Sequence, residues 1–172
     1  HVIKLNSKLN YLPNPRRVQA GIDCTWKGKD DCSAEVTVSA SSQGVEWEIL
    51  IRDDIHEDAE RRTALHLHDS AAVALEIPDF SVRIPRLGGR SRGNRNVFTV
   101  ITGYAGEKPV CIIQKAGREI PHKETVFSGT RSGNETRYSV SIPWNVFNVM
   151  NNRPPYLKMG ICVFDNDGKG VK

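Results

Sequence analysis

Apolar and polar residues alternate with period two through most of this chain. In VEWEILIR, Val45, Trp47, Ile49 and Ile51 share one face, while Glu46, Glu48 and Arg52 share the other. In TRYSVSI, Tyr138, Val140 and Ile142 alternate with Arg137, Ser139 and Ser141. LKMGICVF puts Leu157, Met159, Ile161 and Val163 on one face. Successive strand residues point to opposite faces, so each stretch predicts a strand with one buried side. AEVTVSA, AVALEI, NVFTVITG, PVCIIQ and ETVFSG read the same way, giving about eight short strands between clusters of Gly, Pro, Asn, Asp and Ser. SSQG at 41–44 is a hairpin turn between two of them.

Helical pattern is thin. PWNVFNVM predicts one short helix with Pro143 in its first turn, where a missing N–H costs nothing. HEDAERRTA has helical propensity but is short and charged. The expected class is therefore all-β: an antiparallel β-sandwich of immunoglobulin or jelly-roll type, with one short helix. Residues 1–172 read as a single domain, in which 1–20 form an irregular lead-in or an extra edge strand.

Composition changes this picture little. The chain has 172 residues, 38% of them hydrophobic and 26% charged, so it can bury a core. No apolar run approaches the roughly 20 residues of a membrane span, and no membrane partner is expected. No signal peptide opens the chain, so an export signal would have been removed upstream of His1. The net charge of +4 is concentrated in PRLGGRSRGNR, where Arg86, Arg90, Arg92 and Arg95 sit among glycines. Such a stretch could meet phosphate, sulfate or carboxylate, or be a solvated surface loop. No aromatic residue interleaves with these arginines, so no nucleic-acid partner is expected.

Of four cysteines, Cys24 and Cys32 flank a polar loop, and a disulfide between them would fit an oxidising compartment. Cys111 and Cys162 lie in apolar runs and read as two buried thiols. There is no C-x-x-C, no G-x-S-x-G, no H-E-x-x-H and no Gly-rich phosphate loop, so nothing points to a particular catalysis.

The remaining chemistry is acidic. LHLHDS would place His66 and His68 on one face of a strand, about 7 Å apart. With Asp69 they could hold a transition metal, or be polar side chains on an exposed rim. RDDIHED, HDS and DNDG each lie at a strand end. If these loops share one pole, Asp53, Asp54, Asp69, Asp165 and Asp167 could surround a hard cation such as calcium. They could equally be ordinary turn residues that bond their own backbone. DNDGKG is not an EF-hand loop. Lys169 would occupy its fifth position, and its twelfth would fall beyond Lys172.

The order WKGKDDCSAEVTV, VEWEILIRDDIH, HDSAAVALEI, TRYSVSIPWNVF and LKMGICVFDNDG resembles the family 9 carbohydrate-binding modules, over roughly residues 26–170. The I-P-W and D-N-D-G segments are the most specific parts. The resemblance implies a β-sandwich that binds sugar without catalysis, carries structural calcium, and is usually an extracytoplasmic appendage of a bacterial polysaccharide-degrading enzyme. Its partners would be a glycan and other domains of a larger polypeptide. Candidate glycan contacts are His66, His68, Tyr104, Arg90, Arg92 and Arg95, the arginines suiting an anionic sugar.

The sequence also departs from the family. No tryptophan precedes Asp69, the family's glutamate on that strand falls at Ala72, and a second tryptophan segment would lie beyond Lys172. Trp26, Trp47 and Trp144 have structural readings, with Trp47 facing inward and Trp144 anchoring the core. A sandwich without its closing strand has an open edge. HVIKLNS, a further tail, or a partner's strand would cover it. Two other functions stay open: an interaction domain that has lost the sugar site, and a metal-dependent hydrolase using the acidic pole.

Overall fold

The computed structural model describes residues 2–5, 32–77, 96–148 and 157–165. Its strands are β1 (Val2–Leu5), β2 (Cys32–Ala40), β3 (Gly44–Asp53), β4 (Ser70–Ile77), β5 (Asn96–Ala105), β6 (Lys108–Lys115), β7 (Arg118–Glu119), β8 (Val126–Ser132), β9 (Glu135–Pro143) and β10 (Lys158–Phe164). They form two five-stranded sheets, ordered β1-β2-β3-β9-β8 and β10-β4-β5-β6-β7, and every paired neighbour is antiparallel. The expected sandwich is observed. β1, Val2–Leu5, pairs with the outer edge of β2.

The inner faces follow the alternation. Val45, Trp47, Ile49 and Ile51 of β3 meet Tyr138, Val140 and Ile142 of β9 in one layer. Val73, Leu75 and Ile77 of β4, Phe98 and Val100 of β5, and Ile113 of β6 form the other. The outer faces carry charge. Arg52 pairs across strands with Glu35 at 3.1 Å and Glu135 at 2.8 Å. Gly44 belongs to the SSQG turn, and a Cβ there would stand 2.4 Å from the Ile142 carbonyl oxygen. Only glycine lets the start of β3 approach β9 this closely.

The short helix is a 3₁₀ turn, Trp144–Phe147. Pro143 ends β9 and caps this turn in extended conformation instead of entering it. Trp144 and Phe147 are buried, and Phe147 packs edge-on to Phe98 at 4.8 Å. The Trp144 indole N–H donates to the Ser41 carbonyl (3.0 Å), and its backbone N–H donates to that of Gln43 (3.1 Å). The I-P-W segment thus plugs the end of the sandwich beside the β2–β3 hairpin.

Two expectations are corrected. LHLHDS is not a strand: Arg62–Leu67 form a 3₁₀ helix. Leu65 anchors it in a second apolar cluster with Ala59, Ile101 and Ile112. Ile101 and Ile112 are a cross-strand pair on the outer face of the β4–β5–β6 sheet. An apolar patch there needs a lid, and Leu65 supplies it, overriding the local alternation. Cys162 is exposed, because Met159, Ile161 and Val163 take the half-buried face of β10 and leave Cys162 on the other. Cys111 is buried as expected, and burial pushes its thiol up to about 12, leaving it unreactive. Cys32 is buried at the start of β2, while Cys24 lies outside the described residues.

A candidate metal and ligand site at the acidic pole

The inward rows of both sheets end in charge at the same pole. In β3 the row Val45, Trp47, Ile49, Ile51 continues to Asp53. In β4 the row Ile77, Leu75, Val73, Ala71 continues back to Asp69, one residue before the strand. A residue at inward parity on the last rung of each sheet must face its counterpart across the sandwich. Asp53 and Asp69 therefore meet, and both are buried, at 5% and 4% exposure.

The segment between them, 54–68, folds over this end. The Ala59 N–H donates to the Tyr104 carbonyl (3.0 Å), and the Gly106 N–H donates to that of Ala59 (3.0 Å). This clips the loop to the end of β5. Within it, His56 turns inward between the two carboxylates. Its Nδ1 lies 3.5 Å from Asp69 Oδ2 and 3.9 Å from Asp53 Oδ2. One ligand atom from each of Asp53, His56 and Asp69 lies within 4.8 Å of the other two. Backbone donors hold the acids in place: the Ile55 N–H on Asp53 Oδ1 at 3.2 Å, and the Glu57 N–H on Asp69 Oδ2. The Asp53 N–H donates to the Asn134 carbonyl (3.0 Å), tying the β8–β9 turn to the same pole.

The other side of the imidazole faces a second set of charges. His56 Nε2 lies 3.3 Å from Asp58 Oδ1 and also contacts the Arg131 guanidinium. Arg131, on the inward face of β8, pairs with Asp58 at 2.8 Å and lies over the Tyr104 ring, 4.0 Å from its centroid. That cation–π contact positions the guanidinium. Burial, reinforced by the neighbouring Arg131 charge, lowers the His56 pKa, while Asp58 opposes the shift. The Tyr138 hydroxyl is buried near these groups without a protein hydrogen-bond partner, and burial pushes its pKa up.

The structure thus brings together Asp53 and Asp69 of the expected set. Asp54 is exposed. Asp165 follows β10 directly, and the register that pairs Phe164 with Ser70 puts it opposite Asp69. Asp167, Arg90, Arg92 and Arg95 lie outside the described residues. His66 and His68 do not share a strand face. His66 is exposed in the 3₁₀ helix, and His68 is half-buried with Nδ1 3.8 Å from Glu57. Neither joins the metal-ligating trio among the described residues. Tyr104 is buried beneath Arg131 rather than open to a sugar face. His56, Asp58 and Arg131 were not among the expected site residues. The signal for His56 was present, since it stands within an acidic run on the loop after β3. Arg131 had none beyond its inward parity on β8.

Calcium takes six to eight oxygen ligands. The trio offers two carboxylates and one imidazole nitrogen, so these three residues do not by themselves make a calcium site.

No protein-family profile matches the sequence, and no curated protein matches it either. Solved structures do match. A family 9 carbohydrate-binding module from Caldicellulosiruptor kristjanssonii in complex with cellotriose superposes with a TM-score of 0.51 at 11% identity. The module from the same organism in complex with glucose gives 0.54, again at 11% identity. The fold is that of a family 9 carbohydrate-binding module. The match covers 85% of this chain and 63–64% of the two solved chains, so it spans less than two thirds of their length. At this identity the shared family 9 fold concerns the backbone path, and the side chains of the pole stand on their own evidence.

Proposed function

We propose that this chain is a non-catalytic glycan-binding module of an exported bacterial protein, built on the family 9 fold and working beside other domains of a larger polypeptide. The observation that carries the reading is the likeness to two solved modules whose complexes hold cellotriose and glucose. His66 and His68 are the candidate glycan contacts, with Arg90, Arg92 and Arg95 where the sugar is anionic. Any ion at the pole, calcium included, would serve structure by tying strand ends together.

One observation favours a second reading, an interaction domain. Sugar sites use an exposed aromatic ring against the apolar face of a pyranose. Among the described residues Trp47, Trp144, Tyr104, Tyr138, Phe98 and Phe147 are buried, and Phe127 and Phe164 are half-buried. No helix among the described residues is long and apolar enough to cross a membrane.

A thermal melt against glucose, cello-oligosaccharides and uronic-acid or sulfated glycans separates the two. A ligand that binds only the folded state stabilises it by about 2.7 kcal/mol at a hundredfold excess over Kd. A shift with one glycan class is expected. No shift across the panel removes the glycan reading in favour of the interaction domain.

A further inference from the structure

We propose that Asp53, His56 and Asp69 form a site for one divalent transition-metal ion of the zinc class, clasped between the two sheets. This inference is independent of the glycan reading and concerns residues that no sugar need touch. It rests first on spacing. Bonds of about 2.0–2.2 Å in tetrahedral array put neighbouring ligand atoms roughly 3.4 Å apart. The separations from His56 Nδ1 to the two carboxylates are 3.5 and 3.9 Å, so small movements close the site.

Donor chemistry is the second ground. One imidazole and two carboxylates suit zinc, cobalt or manganese better than calcium, which seeks oxygen alone. The acids come from the last inward positions of opposite sheets, and His56 comes from the loop that bridges them. An ion here would cross-link three chain segments.

The third ground is the shell around the trio. A metal-bound histidine commonly donates its other ring N–H to a carboxylate, which fixes the tautomer. Asp58 stands 3.3 Å from His56 Nε2, and Arg131 anchors Asp58 at 2.8 Å. Binding through Nδ1 requires the proton on Nε2, directed at Asp58, with the Arg131 guanidinium that contacts Nε2 turned fully onto Asp58. The Ile55 and Glu57 backbone N–H groups orient the Asp53 and Asp69 carboxylates. Two buried carboxylates this close repel one another, and a dication offsets that repulsion.

The test uses the chelator-treated chain titrated with cobalt(II) and zinc(II), followed by visible absorption and calorimetry, with calcium in parallel. One ion per chain, a cobalt spectrum with nitrogen and oxygen ligation, and a higher melting temperature with zinc than with calcium are expected. His56→Gln should abolish the cobalt spectrum while the apo variant still melts cooperatively. Asp58→Asn should weaken binding about 10–100-fold. His66→Gln should leave metal binding unchanged. Should Asp69→Asn fail to fold, His56→Gln carries the decision, since its side chain keeps a polar group in the loop. The proposal is overturned if zinc and cobalt do not bind stoichiometrically, if calcium alone binds, or if binding survives His56→Gln or vanishes with His66→Gln.

Discussion

The two ends of this sandwich are closed by opposite means. At one end Trp144 and Phe147 lie against Phe98, and the exposed backbone of the β2–β3 turn is satisfied by the Trp144 indole and amide N–H groups. At the other end the rows that supply the core run out into Asp53, Asp69 and Arg131, closed by His56 and Asp58. The first plug works by removing apolar surface from water, which salt barely affects. The second works by ion pairing in a partly dry site, which is specific in geometry and gives little net stability for the charge it buries. A fold that needed only stability would plug both ends the first way. The proposed metal site would account for that difference.

The comparison can be broken at three strengths. Trp144→Ala removes the apolar plug and should lower unfolding free energy by about 3–5 kcal/mol, read from the urea midpoint, with the same loss at low and high salt. A small loss would mean that the I-P-W segment is peripheral. Arg131→Met strips Asp58 and His56 of their cation while keeping most of the side-chain bulk over Tyr104. It should cost about 1–3 kcal/mol, with a deficit that shrinks as salt screens the charges left behind. If that deficit ignored salt, the pole would be held by packing and the contrast between the ends would fail. Glu48→Gln breaks a 3.5 Å pair with Arg137 on the outer face, where both side chains are more than half exposed. Its expected effect is about 0–1 kcal/mol. A larger loss would place structural weight on the outer faces, and the ends would no longer be where charge matters.

The strands were legible because alternation is a local signal: β3, β9 and β10 can be read off VEWEILIR, TRYSVSI and LKMGICVF. β7 was not, since Arg118–Glu119 are two polar residues paired only at the end of β6. LHLHDS was misread because its fate depends on Ile101 and Ile112, far along the chain, which need Leu65 as cover. The acidic pole was half legible. Asp53 and Asp69 declare themselves as acids at strand ends. The stronger signal is parity: each occupies the next inward position after an apolar row, a place where turn residues have no reason to fall. Arg131 follows the same rule on β8, but Phe127 is its only large apolar neighbour on that row, so the signal is faint.

The pairing of β3 with β9 has a kinetic consequence. Their register joins Gly44 to Pro143, residues roughly a hundred positions apart. Hairpins such as β2–β3 and β8–β9 can close early, but the sheet that unites them must wait for a long loop to be searched. Proteins dominated by such non-local pairings fold in milliseconds to seconds rather than microseconds. During that interval the free edges of two preformed hairpins look for each other, and any other extended chain nearby can compete for the same hydrogen bonds.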